Sequence, residues 1–269
     1  MPEKPIITIT TDFGDRGPFV GIIKGIIIGL NPDVHIVDLC NHIKPQNILE
    51  ASLYLSMSHK YFPPGSIHLV VVDPEVGTER RPIMVITEDQ YYIGPDNGVF
   101  THIYKEPHQI LKVLHITAEH YFLSPTGQTF HGRDVFAPIT GWFSRGIDSS
   151  SLGKEINDYV SLKLNEPKKI MDSTLEGEII TIDSFGNAIT NFTKAHVLEL
   201  FSEIGQEGRL QVVCKGKKFM LTRQYAEAKD KGPAALINSF ELLELFIYKG
   251  NVSQQLGLKP SDRVGIMIA

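Results

Sequence analysis

The eight residues SIHLVVVD, 66–73, decide the fold class. A short run that is apolar at successive positions, and β-branched at four of them, has no polar face to turn to water. It reads as a strand covered on both sides, the pattern of a parallel sheet flanked by helices. Working outward, residues 6–11 (IITITT) read as a first strand and 34–39 as a second. Between them residues 18–30 form a helical pattern, with Pro18 in the first turn and Asn31-Pro32 as the stop. A helix over 47–61 precedes the central run, and residues 83–93 follow it as a hairpin turning at Glu88-Asp89-Gln90.

Beyond the polar stretch LNEPKK (164–169) the pattern changes. GEIITID (177–183), RLQVVC (209–214), KFMLTR (218–223) and RVGIMI (263–268) read as strands joined by turns, whereas 242–248 suit a helix turn or a strand equally. The expectation is an α/β protein: an N-terminal layered α/β domain with a mostly parallel sheet over 1–166, and a smaller, mostly β domain over 170–269.

With 269 residues, 42% of them hydrophobic and 21% charged, the chain can bury a large core, which excludes disorder. Twenty-six Lys and Arg against 31 Asp and Glu give a net charge of -5 and no cationic excess for a nucleic acid. Cys40 and Cys214 each lie in an apolar stretch and read as buried thiols, without a zinc pattern. The apolar run 20–30 is interrupted by Lys24 and falls short of the roughly 18 residues a membrane span needs. The first ten residues lack a secretory pattern, so the expected location is the cytoplasm. GxGxxG, Walker, HExxH, GxSxG and CxxC signatures are absent from the sequence.

Three polar clusters interrupt the first domain's pattern, where open α/β sheets place ligand groups. In TDFG (11–14), Asp12 suits either a grip on a ribose diol or an Asx turn. In VDPEVGTERR (72–81), Asp73 emerges from an apolar strand but also precedes a proline, as turn initiators do. Arg80 and Arg81 are adjacent and should diverge, one inward and one to solvent. In TFHGRDVFAP (129–138), His131 is followed by Arg133 and Asp134 and is either catalytic or structural. Taken singly, IDSFGNAITN (182–191) and PDNG (95–98) are turn signals.

In order along the chain, TDFG, KGIIIGLNPDVHIVDL (24–39), FPPGSIHLVVVDPEVGTERR (62–81), IGPDNG (93–98), TFHGRD (129–134), DSFGNAITN (183–191) and INSFELLELFIYKGN (237–251) resemble the S-adenosylmethionine hydroxide adenosyltransferases, hydrolases related to fluorinase and chlorinase. The resemblance implies a C-terminal β-barrel and a homotrimer whose ligand lies between the N-terminal domain of one subunit and the C-terminal domain of its neighbour. It implies S-adenosylmethionine as a small-molecule substrate, with neither cofactor nor metal. Asp73, Arg80 and His131 match the family's catalytic set. Asp12 matches the ribose acceptor, Asp183 and Asn187 positions near the methionine amine and the adenine, Tyr225 the ring stacked on adenine, and Ser239 a group at the methionine carboxylate. Gly132 stands where halide-using relatives carry a serine, which disfavours halide chemistry.

Glu75 and Glu241 replace family glycines; were either backbone left-handed, a glutamate would cost about 1 kcal/mol or more. Two other readings stay open. A metal-dependent hydrolase would use Asp12, Asp73, His131 and Asp134 as ligands, and a sensor would bind S-adenosylmethionine or adenosine without turnover, a reading Glu75 favours.

Overall fold

The computed structural model describes residues 4–106, 110–171, 174–204 and 210–268. These form two compact units, Met1–Leu162 and Lys163–Ala269.

The first unit holds a seven-stranded sheet built from β1 (Ile6–Thr11), β2 (His35–Cys40), β3 (Ile67–Val71), β4 (Pro82–Thr87), β5 (Tyr91–Pro95), β6 (Ile110–Ile116) and β7 (Gly153–Ile156), in the order β2-β1-β3-β5-β4-β6-β7. The four strands β2, β1, β3 and β5 run parallel; β4, β6 and β7 add an antiparallel flank that starts from the expected 83–93 hairpin. The central run is apolar throughout because both faces are covered. Ile67, Leu69 and Val71 join Ile23, Ile27, Phe136 and Ile139 on one side, while Val70 and Val72 join Ala51, Leu55, Phe100 and Ile103 on the other.

Helix α1 (Phe19–Leu30) buries Ile23 and Ile27, one turn apart, and Pro18 is its N-cap rather than a residue of its first turn. Helix α2 (Ile48–Ser58) starts with the Asn47 side chain accepting from the Glu50 amide and ends in a single 3-10 turn, His59–Tyr61, in place of one continuous helix to Tyr61. Helices α3 (Thr101–Lys105) and α4 (Ala137–Ser144) complete the layers.

The strand order reverses at β1: α1 leads to β2 on one side of it, and α2 leads back to β3 on the other. Such a switch point opens a crevice beyond the carboxyl ends of the two central strands. Asp12 leaves the sheet from the end of β1 and Asp73 follows β3, strands paired through Thr11 and Val71.

The second unit contains β8 (Lys168–Met171), β9 (Thr174–Ile182), β10 (Ala188–Thr193), α5 (Lys194–Ile204), β11 (Leu210–Cys214), β12 (Lys217–Leu221), β13 (Pro233–Ile237), β14 (Leu242–Ile247), α6 (Val252–Leu256) and β15 (Arg263–Ile268). The sequence β10-β14-β13-β12-β11-β15-β9 closes through a β9–β10 pairing into a seven-stranded barrel, with β8 paired outside β9. Closure removes the sheet edges and surrounds a core of Phe192, Val212, Phe219, Leu243, Leu245, Val264 and Ile266. The ambiguous 242–248 run is a strand, paired on both sides; Arg209, expected to open the strand now starting at Leu210, lies outside the described residues. Cys214 is buried, its thiol pushed up to about 11 by burial, whereas Cys40 is only half-buried. Among the described residues no helix is long and apolar enough to cross a membrane.

A buried polar network crosses the sheet of the first unit near the amino ends of β3 and β5. Thr8 Oγ1 meets His68 Nδ1 at 2.7 Å, and Gln90 Oε1 lies 3.0 Å from His59 Nδ1, 3.1 Å from the Tyr92 hydroxyl and 3.3 Å from His68 Nε2. His68 is fully buried, and desolvation with the neighbouring His59 pushes its pKa down to about 3. A histidine protonating near 6.5 in the unfolded chain but only near 3 when folded makes the unfolded state the better proton acceptor, so its contribution to stability is lost as pH falls through that window. Between pH 7 and pH 5 the loss is about 2 kcal/mol from this residue. Urea denaturation at both pH values is expected to show His68→Asn losing correspondingly less than the parent; an equal loss contradicts the assignment.

Candidate active site

Asp73 and Arg80 stand on either side of a tight loop, residues 73–80, between β3 and β4. Gly77 in this loop has φ +81, and a Cβ there would run into the Gln128 carbonyl oxygen, so both conformation and space demand glycine. Glu75 does not share that demand: it is exposed, is not among the positive-φ residues, and its carbonyl accepts from the Thr78 amide (3.1 Å) and hydroxyl (2.8 Å). The replacement at 75 therefore carries no left-handed penalty. Glu241 does adopt φ +62; its carbonyl accepts from the Lys194 amide at 2.8 Å and its carboxylate meets Lys194 Nζ at 3.2 Å, which offsets part of the strain.

Arg80 turns inward. Its Nε donates to Asp73 Oδ1 at 2.9 Å, its Nη2 donates to Asp73 Oδ2, and Nη2 also reaches His131 Nδ1 at 2.8 Å. The side chains of Arg80 and Asp73 are only 4% and 6% exposed. A guanidinium has donors only, so His131 Nδ1 must accept, which leaves the imidazole neutral with its proton on Nε2. In agreement, burial and then the Arg80 charge hold the His131 pKa below its ordinary value. Arg80 Nη1 is buried and has no hydrogen-bond partner among the described residues.

His131 precedes a five-residue π-turn, Gly132–Phe136, that runs directly into α4. Such turns re-aim side chains and recur at functional sites. This one places the Phe136 ring 5.1 Å beneath the Arg80 guanidinium, a cation–π contact within a dry pocket wall. It also presses Gly132 between Phe130, Ile23 and Val71, where a Cβ would sit 3.0 to 3.3 Å from each.

The PDNG turn supports the pair from behind. Asn97 of PDNG is buried and donates to the Val72 carbonyl at 2.9 Å, immediately before Asp73. Asp96 Oδ2 accepts from Arg81 Nε at 2.9 Å and Nη2 at 2.6 Å, and Arg81 Nη1 reaches Asp158 at 2.8 Å. Arg81 therefore diverges from Arg80 as expected but is tied down by two carboxylates rather than left to solvent.

Asp12 accepts the Gln46 amide at 2.8 Å, and the Gly14 amide two residues on goes to the Asn41 carbonyl at 2.7 Å, so of the two readings of Asp12 the Asx turn is not the one formed. Phe13, Phe19 and Phe130 form an aromatic trio beside these residues, with centroids 5.3 to 5.7 Å apart, which no spacing in the sequence announced.

The proposed metal-ligand set is dispersed into other bonds. Asp134 Oδ1 takes Arg133 Nε at 2.6 Å and Oδ2 takes the Gly127 amide at 2.8 Å, and the Arg133 contact holds its carboxyl below the usual range. Among the described residues no group of three or more His, Cys, Asp or Glu is placed to hold a metal ion.

In the barrel unit, Asp183 Oδ1 accepts the Phe185 and Asn187 amides at 2.9 and 2.8 Å, and Oδ2 takes Asn187 Nδ2 at 3.2 Å. Ser239 is exposed in the turn after β13. Tyr225 opens a 3-10 turn, is 45% exposed, and donates its hydroxyl to Glu244 Oε1 at 2.8 Å. Glu244, 3% exposed, was missed by sequence reading, although a lone acid inside LLELFI is itself a signal. Burial pushes its carboxyl pKa up.

Models of the SAM hydroxide adenosyltransferase N-terminal and C-terminal domains match residues 7–153 and 177–265. The chain belongs to the SAM hydroxide adenosyltransferase family. It is 36% identical to the (R)-S-adenosyl-L-methionine hydrolase of Methanocaldococcus jannaschii over 97% of this chain and 95% of that one. It is 33% identical to the Thermus thermophilus hydrolase of the same name over 98% and 100%. The crystal structure of a conserved protein from Thermotoga maritima superposes with TM-score 0.89 at 31% identity, covering 97% of this chain and 99% of the other.

For this family member the Arg80 contact predicts a His131 titration midpoint below 6.5 with the Nε2–H tautomer. Nitrogen NMR of labelled histidines should show both, and Arg80→Gln should move the midpoint upward. An Nδ1–H tautomer in the parent protein would contradict the geometry.

Proposed function

We propose that the protein hydrolyses S-adenosylmethionine to adenosine and methionine, and that its substrate is the (R) sulfonium epimer named for its relatives. The observation that carries the reading is Arg80: a buried guanidinium that joins Asp73 to His131 and keeps Nη1 free of any described partner, at the switch point of the sheet.

Water attacks the ribose C5′. The new O–C5′ bond forms as the C5′–S bond breaks, its electron pair passes to sulfur, and methionine leaves as a neutral thioether. That leaving group needs neither protonation nor a Lewis acid, so the scheme requires no cofactor or metal. The difficulty lies in the nucleophile, because water is a poor one at neutral pH. Arg80 Nη1 is the donor available to hold the attacking oxygen and stabilise developing hydroxide character, while His131 offers a neutral Nε2–H. Arg80 has no lone pair, the Nδ1 lone pair of His131 faces Arg80, and both Asp73 oxygens are engaged on the Nε–Nη2 edge of the guanidinium, away from Nη1, so the proton of the attacking water is released to solvent. Placing oxygen about 3 to 3.5 Å from C5′, in line with sulfur, supplies much of the remaining acceleration.

Asp12 holds the ribose diol, Tyr225 stacks on the adenine, and Asp183, Asn187 and Ser239 hold the base and the amino-acid end. The crowding at Gly132 supports water over halide, since a serine there has no room without displacing its neighbours. The ordinary backbone at Glu75 removes the conformational ground for a non-catalytic sensor. We also propose a cytoplasmic homotrimer that completes each site with residues of two subunits; sedimentation of the purified protein should give three times the chain mass, and a monomer would oppose it.

Incubation in ¹⁸O-labelled water should place the label on the 5′ oxygen of adenosine, with the (R) epimer consumed faster than the (S). Methylthioadenosine as product would overturn the reaction. Asp73→Asn and Arg80→Gln should each lower kcat by about 100-fold or more.

A further inference from the structure

We propose that Glu244 is a positioning residue: its buried carboxyl group locks the Tyr225 ring and the 238–242 turn into one preformed surface for the flat base of the nucleoside. This rests on the reading of Tyr225 as the base platform.

Tyr225 sits on a single 3-10 turn, Tyr225–Ala228, too short to hold a half-exposed ring by itself. Glu244 lies in the middle of β14, paired to Ile189 on one side and Leu236 on the other, so it is as rigid as the barrel. Its two oxygens reach different loops. Oε1 accepts the Tyr225 hydroxyl at 2.8 Å, and Oε2 accepts Asn238 Nδ2 at 3.1 Å. Asn238 Oδ1 in turn accepts the Phe240 and Leu242 amides at 2.9 and 3.2 Å, which shapes the turn carrying Ser239. The Tyr225 ring is further held against Phe246 at 4.8 Å and 80°. An acid at this position of an apolar strand is costly unless its hydrogen bonds repay it, and a purely structural need would be met by leucine. A ring fixed beforehand loses less freedom when a base stacks on it.

Steady-state kinetics with S-adenosylmethionine and calorimetric titration with adenosine test this on the parent, Tyr225→Phe, Glu244→Ala, Glu244→Gln and the Tyr225→Phe/Glu244→Ala double variant. Tyr225→Phe and Glu244→Ala should each raise KM and weaken adenosine binding about ten-fold, with kcat within about two-fold of the parent. The double variant should be no worse than Glu244→Ala, because both changes delete the same hydrogen bond. Glu244→Gln, whose oxygen can accept from Asn238 while its amide donates to the Tyr225 hydroxyl, should raise KM by no more than about three-fold, and a rise as large as that of Glu244→Ala counts against the proposal. Additive effects, a fall in kcat with KM unchanged, or unaltered adenosine affinity would overturn the proposal. Should Glu244→Ala fail to fold, Tyr225→Phe decides: unchanged KM and adenosine affinity count against it. Failure of the hydrolase reading shows instead as a parent protein without turnover, and the adenosine titration still judges Glu244.

Discussion

A guanidinium removed from water must find acceptors, and around Arg80 that requirement organises the first unit. Asp73 supplies a bidentate carboxylate, His131 a neutral nitrogen, and Phe136 the face of a ring. Burying a charge without such partners costs several kcal/mol, so the loop, the π-turn and the strand end have to meet in one place. The meeting is braced by hydrogen bonds from outside the Asp73–Arg80–His131 cluster. Asn97 fixes the carbonyl before Asp73, and Asp96 with Asp158 pulls Arg81 away so that its neighbour can point inward.

The electrostatics suit the chemistry. Asp73 and Arg80 together are close to neutral, and His131 is kept uncharged, so no net positive charge opposes a sulfonium at the crevice. Among the described residues three buried side-chain polar atoms have no hydrogen-bond partner, Thr10 Oγ1, the Tyr104 hydroxyl and Arg80 Nη1, and of these Arg80 Nη1 belongs to a charged group, the kind of donor that the proposed reaction calls for. Preorganisation of this kind depends on dry surroundings, and Arg80 and Asp73 are themselves buried, with the fully buried Phe136 ring against the guanidinium.

The barrel unit solves a different problem by the same means. Its candidate ligand residues sit on turns, and the turns are braced through side chains: Asp183 caps its own loop by taking two amides, and Glu244 reaches two loops from a rigid strand. A buried carboxyl that spans two loops trades desolvation for rigidity where a ligand is to be met.

Layered α/β architecture was legible from SIHLVVVD and its flanks, because burial on both faces leaves an uninterrupted apolar run and helices leave a period near 3.6. The candidate site residues Asp12, Asp73 and His131 were legible as polar groups ending or interrupting such runs. Barrel closure was not, since pairing β10 with β14 and β9 with β15 joins strands far apart along the chain, a register that local alternation does not encode. Nor did the residues themselves say that His131 meets Arg80, or which of Arg80 and Arg81 turns inward. Those outcomes depend on which acceptors lie within about 3 Å, and the acceptors come from segments as much as 77 residues away along the chain. Local sequence determined the elements and their order through periodicity and turn chemistry. Only the packed structure decided which charges share a pocket, because the cost of burying a charge is set by neighbours brought together from distant parts of the chain.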